Sequence, residues 1–384
     1  MNKRARHTGS IEKRGNAWRI RYWLESDVNG KRKQATETVR GNKREAETVL
    51  RQRISTAENG GYVPKVNETV ADFLERWLQT YAKTNTALRT QQGYRYYAKK
   101  YICPVIGQVE LQKLSTAHVQ GLYTQMQEVG LGPKTIDNCH RCLRAALNKA
   151  VKWGNLVHNP AVNADAPRPV KRELLTWDVG TFQKFFHAAE NSPYKKFYHL
   201  AALTGMRRSE LCGLKWDVIN VESGELRVVR TLQRIVGMGL VEGQPKTERS
   251  RRTIALSGGA VGLLKDIRAD QSEKRLILGP IWKGTGHVFT CEDGSPISGE
   301  RVSREFARIV RENKLPYLTL HGLRHTAASM MIAGGIHART IADVLGHSSI
   351  VTTMDVYGHL MVGVQRSAME LLDEKMAGTL PFLA

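Results

Sequence analysis

The C-terminal part of the 384-residue chain gathers side chains that handle phosphate and protons. His321-Gly322-Leu323-Arg324-His325-Thr326 is followed by Leu345-Gly346-His347-Ser348, and then by Thr352-Thr353-Met354-Asp355-Val356-Tyr357. His321 and Arg324 are three residues apart, so on a helix they share a face. Gly334-Gly335 supplies a stop for that helix. His347 follows Gly346 at a turn, with Tyr357 ten residues later. Two imidazoles, a guanidinium and a phenol can then converge on one anionic group.

Two upstream runs extend the set. Thr204-Gly205-Met206-Arg207-Arg208-Ser209-Glu210-Leu211 carries a second arginine, and Lys246-Thr247-Glu248-Arg249-Ser250 carries a lysine. The spaced combination resembles the C-terminal signature of the tyrosine recombinases, the phage-integrase family. All six of that family's catalytic positions hold the expected types: Arg207, Lys246, His321, Arg324, His347 and Tyr357.

The chemistry explains the residue types. When a hydroxyl attacks a phosphodiester, the pentavalent transition state gains negative charge on its non-bridging oxygens. Arginines stay cationic and present paired donors to two oxygens, so Arg207 and Arg324 are candidates for that clamp. His321 and His347 can donate to the phosphate or accept the phenol proton, because imidazole titrates near neutrality. The resemblance implies His321 as the base for Tyr357 and His347 as the oxyanion donor. Lys246 would protonate the departing 5′ oxygen, with its pKa open to lowering by Arg207 and Arg324. Tyr357 would attack and leave a 3′-phosphotyrosyl linkage and a free 5′-hydroxyl. A phenol ionises near pH 10, so the cationic surroundings must favour its anion. Glu210, three residues after Arg207, either orients an arginine or is an ordinary surface carboxylate. The ester bond keeps the energy of the cut strand, so rejoining needs neither ATP nor a metal, and no cofactor is expected. In keeping with that, the chain has no G-x-x-x-x-G-K-[ST] phosphate loop, and no carboxylate cluster of the two-metal nuclease kind is evident. Gly237, Gly239 and Gly243 read as hairpin turns.

Bulk properties agree with a polyanionic partner. The formal net charge is +22, divided as +8 over residues 1–60, +7 over 61–170 and +7 over 171–384, so every segment can approach nucleic acid. Five scattered cysteines point to a reducing compartment. Cys139 and Cys142 lie within a helical pattern and read as packing residues. No apolar run reaches membrane-spanning length and no signal-peptide core is evident. The expected location is the bacterial cytoplasm, including the nucleoid.

The elements that must position these residues form a multidomain α+β chain. Residues 1–60 read as a small three-stranded β-sheet plus a helix. Ile11 leads to a turn at Gly15-Asn16, and Trp18, Ile20, Tyr22 and Leu24 alternate with Arg19, Arg21 and Trp23. Asn29-Gly30 marks a hairpin, Gln34–Val39 a third strand, and Asn42 with Glu45 a capping box. This module resembles the arm-binding domain of large phage and conjugative-element integrases, and its basic strand face suits a major groove. Gly60-Gly61-Tyr62-Val63-Pro64 reads as a linker.

Residues 65–165 read as four helices resembling the family's core-binding domain. The first carries Val70, Phe73, Leu74, Trp77, Leu78 and Tyr81. A second spans about Leu88 to Ile102 and is broken by Pro104 and Gly107. A third is capped by Ser115 and a fourth runs from Pro133 to Trp153. Within the fourth, His140 is read as core, as is the Tyr123/Met126 stripe of the third. Residues 172–384 read as a mixed, α-rich catalytic domain with a small antiparallel sheet. Helical patterns cover Trp177–Ala189, Lys195–Leu203 and Gly299–Glu312, and another begins at His321. Strands are expected at Val218–Val221, Leu226–Arg230 and Arg251–Ala255, with Lys246 at a hairpin tip. Val364–Met376 can form a helix ahead of the apolar Leu380-Pro381-Phe382-Leu383.

The expected function is a site-specific integrase of a phage or integrative conjugative element. The alternatives are a chromosome- or plasmid-dimer-resolving recombinase and a type IB topoisomerase-like relaxing enzyme. The resemblance implies double-stranded DNA with core-type and arm-type attachment sites, a homotetramer on DNA with tails docked between protomers, a DNA-bending host factor and an excision factor.

Overall fold

The computed structural model describes residues 9–26, 32–58, 67–170, 175–245, 248–346, 369–370 and 372–376. The chain divides into two units, Met1–Lys171 and Arg172–Ala384. Within the first unit the sheet module and the helices after it have separate apolar cores.

The sheet module is an antiparallel meander of β1 (Ser10–Arg14), β2 (Ala17–Ser26) and β3 (Arg32–Arg40), backed by α1 (Lys43–Glu58). Gly15, at φ 56°, takes the left-handed turn between β1 and β2. Strand alternation sends Ile20 and Tyr22 into a core with Ala35, Ala46 and Leu50, and leaves Trp23 45% exposed. On the same phase as Trp23, Arg19 pairs across to Thr38 and Arg21 to Thr36. The expected cap of α1 is reciprocal: the Glu45 N–H donates to Asn42 Oδ1 at 2.9 Å, and the Asn42 N–H donates to Glu45 Oε2 at 3.1 Å. The Asn29-Gly30 hairpin signal and the Gly60–Pro64 linker lie outside the described residues.

The helical bundle opens with α2 (Val70–Trp77), which continues through a π turn at Leu78–Ala82 into α3 (Lys83–Asn85). Its buried stripe is Val70, Phe73, Leu74, Trp77 and Leu78. The second helix is α4 (Leu88–Tyr97), a π turn at Ala98–Ile102 and α5 (Cys103–Ile106). Pro104 does not break it, contrary to the sequence expectation; the helix ends at Gly107. A proline inside an α-helix clashes with the carbonyl four residues back. Here it follows directly on the wider π turn, where the Cys103 N–H bonds to Ala98 O, and the looser winding accommodates the ring. Next come α6 (Thr116–Glu128), capped by Ser115, and α7 (Pro133–Lys152), closed by Gly154 at φ 69°. Tyr94 packs its ring 5.0 Å from Trp77, while Tyr96 stays 48% exposed and accepts a hydrogen bond from Lys100 Nζ. His140 is a packing residue, with Nδ1 2.7 Å from the Tyr123 hydroxyl, and burial lowers its pKa. Cys139 and Cys142 are buried, and burial pushes the Cys139 thiol up to about 12. Asn159 locks the bundle's exit. It donates to Arg144 O and Asn148 Oδ1 and accepts from the Ala161 N–H.

The second unit is built on Trp177, Phe185, Phe197, Tyr198 and Phe306, buried in one cluster. It contains α8 (Val179–Ala188), α9 (Lys195–Thr204) and α10 (Arg208–Cys212), followed by β4 (Ile219–Asn220), β5 (Glu225–Val228), β6 (Thr231–Ile235), β7 (Gly239–Gly243) and β8 (Arg252–Ala255). After these come α11 (Gly258–Leu278), α12 (Gly299–Glu312), α13 (Leu320–Ala333) and α14 (Ala338–Leu345). The strands form a β4-β5-β8 sheet and a separate β6-β7 hairpin. Three elements go beyond the sequence reading: the β6-β7 ladder, α11 and α14. The β6-β7 ladder was visible only as its glycine turn, Gly237 and Gly239 having φ of 80° and 78°. Helix α11 was missed because its buried positions, Ala260, Leu264 and Ile267, stop well before its end. Past them Gln271 fixes the helix by polar contacts, donating to His287 O and Val288 O and accepting from the Trp216 indole. Residues 369–370 and 372–376 are helical, in line with the expected Val364–Met376 helix. Among the described residues no helix is long and apolar enough to cross a membrane.

Candidate active site

Three of the six expected catalytic residues lie within the described structure: Arg207, His321 and Arg324. Lys246, His347 and Tyr357 lie outside it. The described three converge because local backbone turns aim them at one place. Helix α9 ends at Gly205, whose φ of 60° is left-handed; a Cβ there would sit 2.7 Å from Leu345 Cδ2. Only glycine fits both the turn and the contact. The chain reverses, and Arg207 becomes the residue preceding α10, with its own N–H donating to Glu210 Oε2 at 2.9 Å and its Nη1 to Oε1 at 2.7 Å. Helix α13 is started by Thr319, whose side chain accepts from the Gly322 N–H. A Cβ on Gly322 would meet Leu318 at 2.4 Å, so glycine is needed for this close approach. Thr326 accepts from the Trp177 N–H and sets the helix against the core. Gly334 and Gly335 end it as expected.

The convergence point is the C-terminal end of α14. Arg252 Nε donates to Val344 O at 2.6 Å, Arg324 Nη2 to Leu345 O at 2.6 Å, and Arg207 Nη2 to Gly346 O at 3.0 Å. Three successive carbonyls thus accept from three arginines on three different segments. The last carbonyls of a helix lack intrahelical partners and carry partial negative charge, so guanidinium groups suit them. Arg324 also donates through Nη1 to Gly205 O at 2.7 Å, which ties the arginine turn to the α14 turn. Arg324 is 3% exposed, whereas the Arg207 side chain keeps 33% of its surface open.

Glu210 lies at the centre. Its side chain is 1% exposed and bridges Arg207 and Arg252, with Arg252 Nη2 3.0 Å from Oε2. The surface-carboxylate alternative is therefore overturned. Burial pushes this carboxyl upward, but Arg252 and then Arg207 outweigh it, and the pKa is lowered overall. The group is an anion holding two cations apart and in place.

His321 stands one turn before Arg324, its ring edge-on to His325 with centroids 4.9 Å apart. Its pKa falls to about 4 through desolvation by burial, then through the charge of His325, Arg324, Arg207 and Arg208. The residue keeps an exposed surface, and the guanidiniums of Arg324 and Arg207 are among the charges that act on its ring. The lowered pKa leaves it neutral near pH 7, the form able to accept a proton.

Lys246 falls between β7 and β8, but these strands do not pair; β7 pairs with β6 and β8 with β5. The flanking strands thus belong to two sheets and make no common hairpin. Arg252 is the polar residue that the sequence reading missed. The available signal was its strand phase: Arg252 and Ile254 are two apart on β8, so the arginine occupies the inward register of a buried isoleucine. Among the described residues no group of three or more His, Cys, Asp or Glu is arranged to hold a metal ion.

The chain is similar to a family of known proteins. Residues 179–362 match the phage integrase family, and residues 69–127 match the phage integrase N-terminal SAM-like domain. The tyrosine recombinase XerC-like protein of Caldanaerobacter subterraneus subsp. tengcongensis is 28% identical over 96% of this chain and 99% of its own length. The ICEBs1 integrase of Bacillus subtilis is 27% identical over 74% of this chain and 77% of its own. In fold, the Tn1549 transposon integrase in complex with transposon right end DNA covers 79% of this chain and 99% of its own at a TM-score of 0.68 and 22% identity. The lambda integrase tetramer bound to a Holliday junction covers 90% and 96% at a TM-score of 0.57 and 20% identity. Both family matches fall on the helical bundle and the arginine-rich unit described above, and the chain belongs to the phage integrase family as a site-specific tyrosine recombinase of the integrase type.

Proposed function

We propose that this chain cuts and rejoins duplex DNA at defined attachment sites, through an ester between Tyr357 and a 3′ phosphate, to integrate and excise a mobile element. The observation that carries the reading is the shared anchorage of Arg207 and Arg324 on adjacent carbonyls of the turn that leads to His347. Two guanidiniums fixed side by side can take the two non-bridging oxygens of one phosphate. The Tyr357 oxygen attacks phosphorus and the 5′-bridging oxygen leaves. Lys246 supplies the proton to the leaving oxygen, and neutral His321 accepts the proton of the phenol, with His347 donating to the phosphate. The reverse attack by a 5′-hydroxyl restores the backbone. Because the ester energy is retained, the reaction needs no metal ion and no ATP.

The remaining parts follow the same reading. The domain division is 1–60 for arm-type sites, 65–165 for core-type sites and 172–384 for catalysis. In the first, the exposed phase of β2 and β3 offers Arg19, Arg21, Trp23, Gln34, Thr36 and Thr38 as a surface for a major groove. The protein works as a homotetramer on DNA, as the lambda integrase is seen on a Holliday junction, with a bending factor and an excision factor as auxiliary partners. The test is trapping on nicked suicide duplexes made from the joined ends of the element that carries this gene. The wild-type chain forms a covalent adduct, and Tyr357→Phe binds the same duplex without forming one. Adduct formation by Tyr357→Phe would refute the assignment.

A further inference from the structure

Arg252 stands apart from the six family positions, yet its side chain lies inside the site beside Glu210. Its side chain is 6% exposed. Its fork is divided between three acceptors: Val344 O through Nε, Ser250 O through Nη1 and Glu210 Oε2 through Nη2. The backbone of the α14 turn lies against it, since a Cβ on Gly346 would be 2.9 Å from Arg252 Nη1 and 3.0 Å from Cδ. Glu210 in turn holds Arg207 at both its backbone and its guanidinium. Every nitrogen of this guanidinium is engaged by an acceptor of the protein itself. A buried ion pair is also weak evidence for stability, because desolvating both charges offsets much of their attraction. What the pair does provide is fixed geometry on two sides of the site.

We infer that Arg252 is a positioning residue for strand cleavage: through Glu210 it sets the direction of the Arg207 guanidinium, and through Val344 O it fixes the turn from which the chain leaves for His347. The inference rests on the recombinase reading and deepens it. Without Arg252, Glu210 has one cation in place of two, and its pull rotates Arg207 away from Gly346 O. At the same time the last turn of α14 loses one of its three anchors. Misplacement on the order of 1 Å at a phosphate clamp lowers a chemical step by about 100-fold while leaving most of the binding surface intact. Lysine retains the charge but not the fork, so it neutralises Glu210 without spanning to Val344 O and Ser250 O as well.

The experiment compares Arg252→Gln, Arg252→Lys, Glu210→Gln and the double variant Arg252→Gln/Glu210→Gln in the full chain. The same nicked suicide duplexes are used, and the rate of adduct formation at saturating protein is measured separately from equilibrium DNA affinity. Arg252→Gln is expected to slow adduct formation by about 100-fold with affinity within about threefold, and Arg252→Lys to recover part of the rate. The double variant is expected to be no slower than the slower single variant, because both changes break one linkage. A role confined to holding the fold would lower affinity and rate together and would multiply with Glu210→Gln. Either that pattern or an Arg252→Gln rate within about threefold of wild type overturns the inference. Should Arg252→Gln fail to fold by its thermal transition, Arg252→Lys combined with Glu210→Gln carries the same additivity test. Wild type and Tyr357→Phe run alongside. Absence of a wild-type adduct refutes the recombinase reading itself, whereas a wild-type adduct with an indifferent Arg252 refutes only the positioning role.

Discussion

Replacing Gly346 by alanine tests how tightly the α14 turn is seated on its arginines. Two costs are separable. Gly346 has φ 65°, and an L-residue in that region loses about 1 kcal/mol. In addition the new methyl would lie 2.9 Å from Arg252 Nη1, 3.0 Å from Cδ and 3.2 Å from Cζ. The guanidinium cannot simply withdraw, because it is held at 2.6 Å by Val344 O and at 3.0 Å by Glu210. Weakening one such charge-assisted hydrogen bond costs about 2 kcal/mol, for a total of about 3 kcal/mol. Gly335→Ala is the matched control in the same unit: φ is 73° and nothing lies within 4 Å of its Cβ position, so it carries only the conformational cost of about 1 kcal/mol. For a unit the size of Arg172–Ala384, each kcal/mol lowers Tm by roughly 2–4 °C. The expected falls are about 6–12 °C for Gly346→Ala and about 2–4 °C for Gly335→Ala, read from the melting transition of the second unit. Adduct formation is expected to drop with Gly346→Ala and to hold with Gly335→Ala. Equal destabilisation of the two variants would show that Arg252 yields freely, and the seating of the turn would be refuted.

Other outcomes follow from the same structure. The His321 pKa of about 4 lies below the unfolded value of about 6.5, so between these pH values the unfolded chain binds the extra proton. Stability therefore falls as pH drops through that window. An NMR titration should keep the His321 ring neutral to well below pH 6, and His321→Gln should flatten part of the pH slope, with the lowered pKa values of His325, His199 and His287 contributing to what remains. Asn159→Ala removes three hydrogen bonds and strands the Ala161 N–H, with an expected loss of about 2–3 kcal/mol in the first unit, measurable by denaturant unfolding. DNA affinity should fall steeply with salt, given the +22 charge; a flat response in equilibrium binding would contradict a phosphate-facing surface.

Much of the architecture was legible because its causes are local. The Asn42–Glu45 box, the Ser115 cap and the stop at Gly334-Gly335 involve residues within one turn, whose hydrogen bonds depend on spacing alone. The α2 stripe and the β2 alternation follow from burying one face. Reading failed where distant contacts decided the outcome. Helix α11 rests on Gln271 clasping the 287–288 backbone; Pro104 is a different case, a local one, in which the π turn directly before it admits the ring.

The division is clearest at the site. The sequence by itself determined which chemistry was available, since arginine, imidazole, lysine and phenol at those spacings suit an attack on phosphate. Only the tertiary structure decided that Glu210 is interior, that Arg252 belongs with it, and that three arginines meet on Val344, Leu345 and Gly346. Spacing along the chain carries no information about which helix end a remote guanidinium will find. That choice depends on packing α9, α13, α14 and β8 together, and the unpaired carbonyls at the close of α14 are the partners that make it favourable.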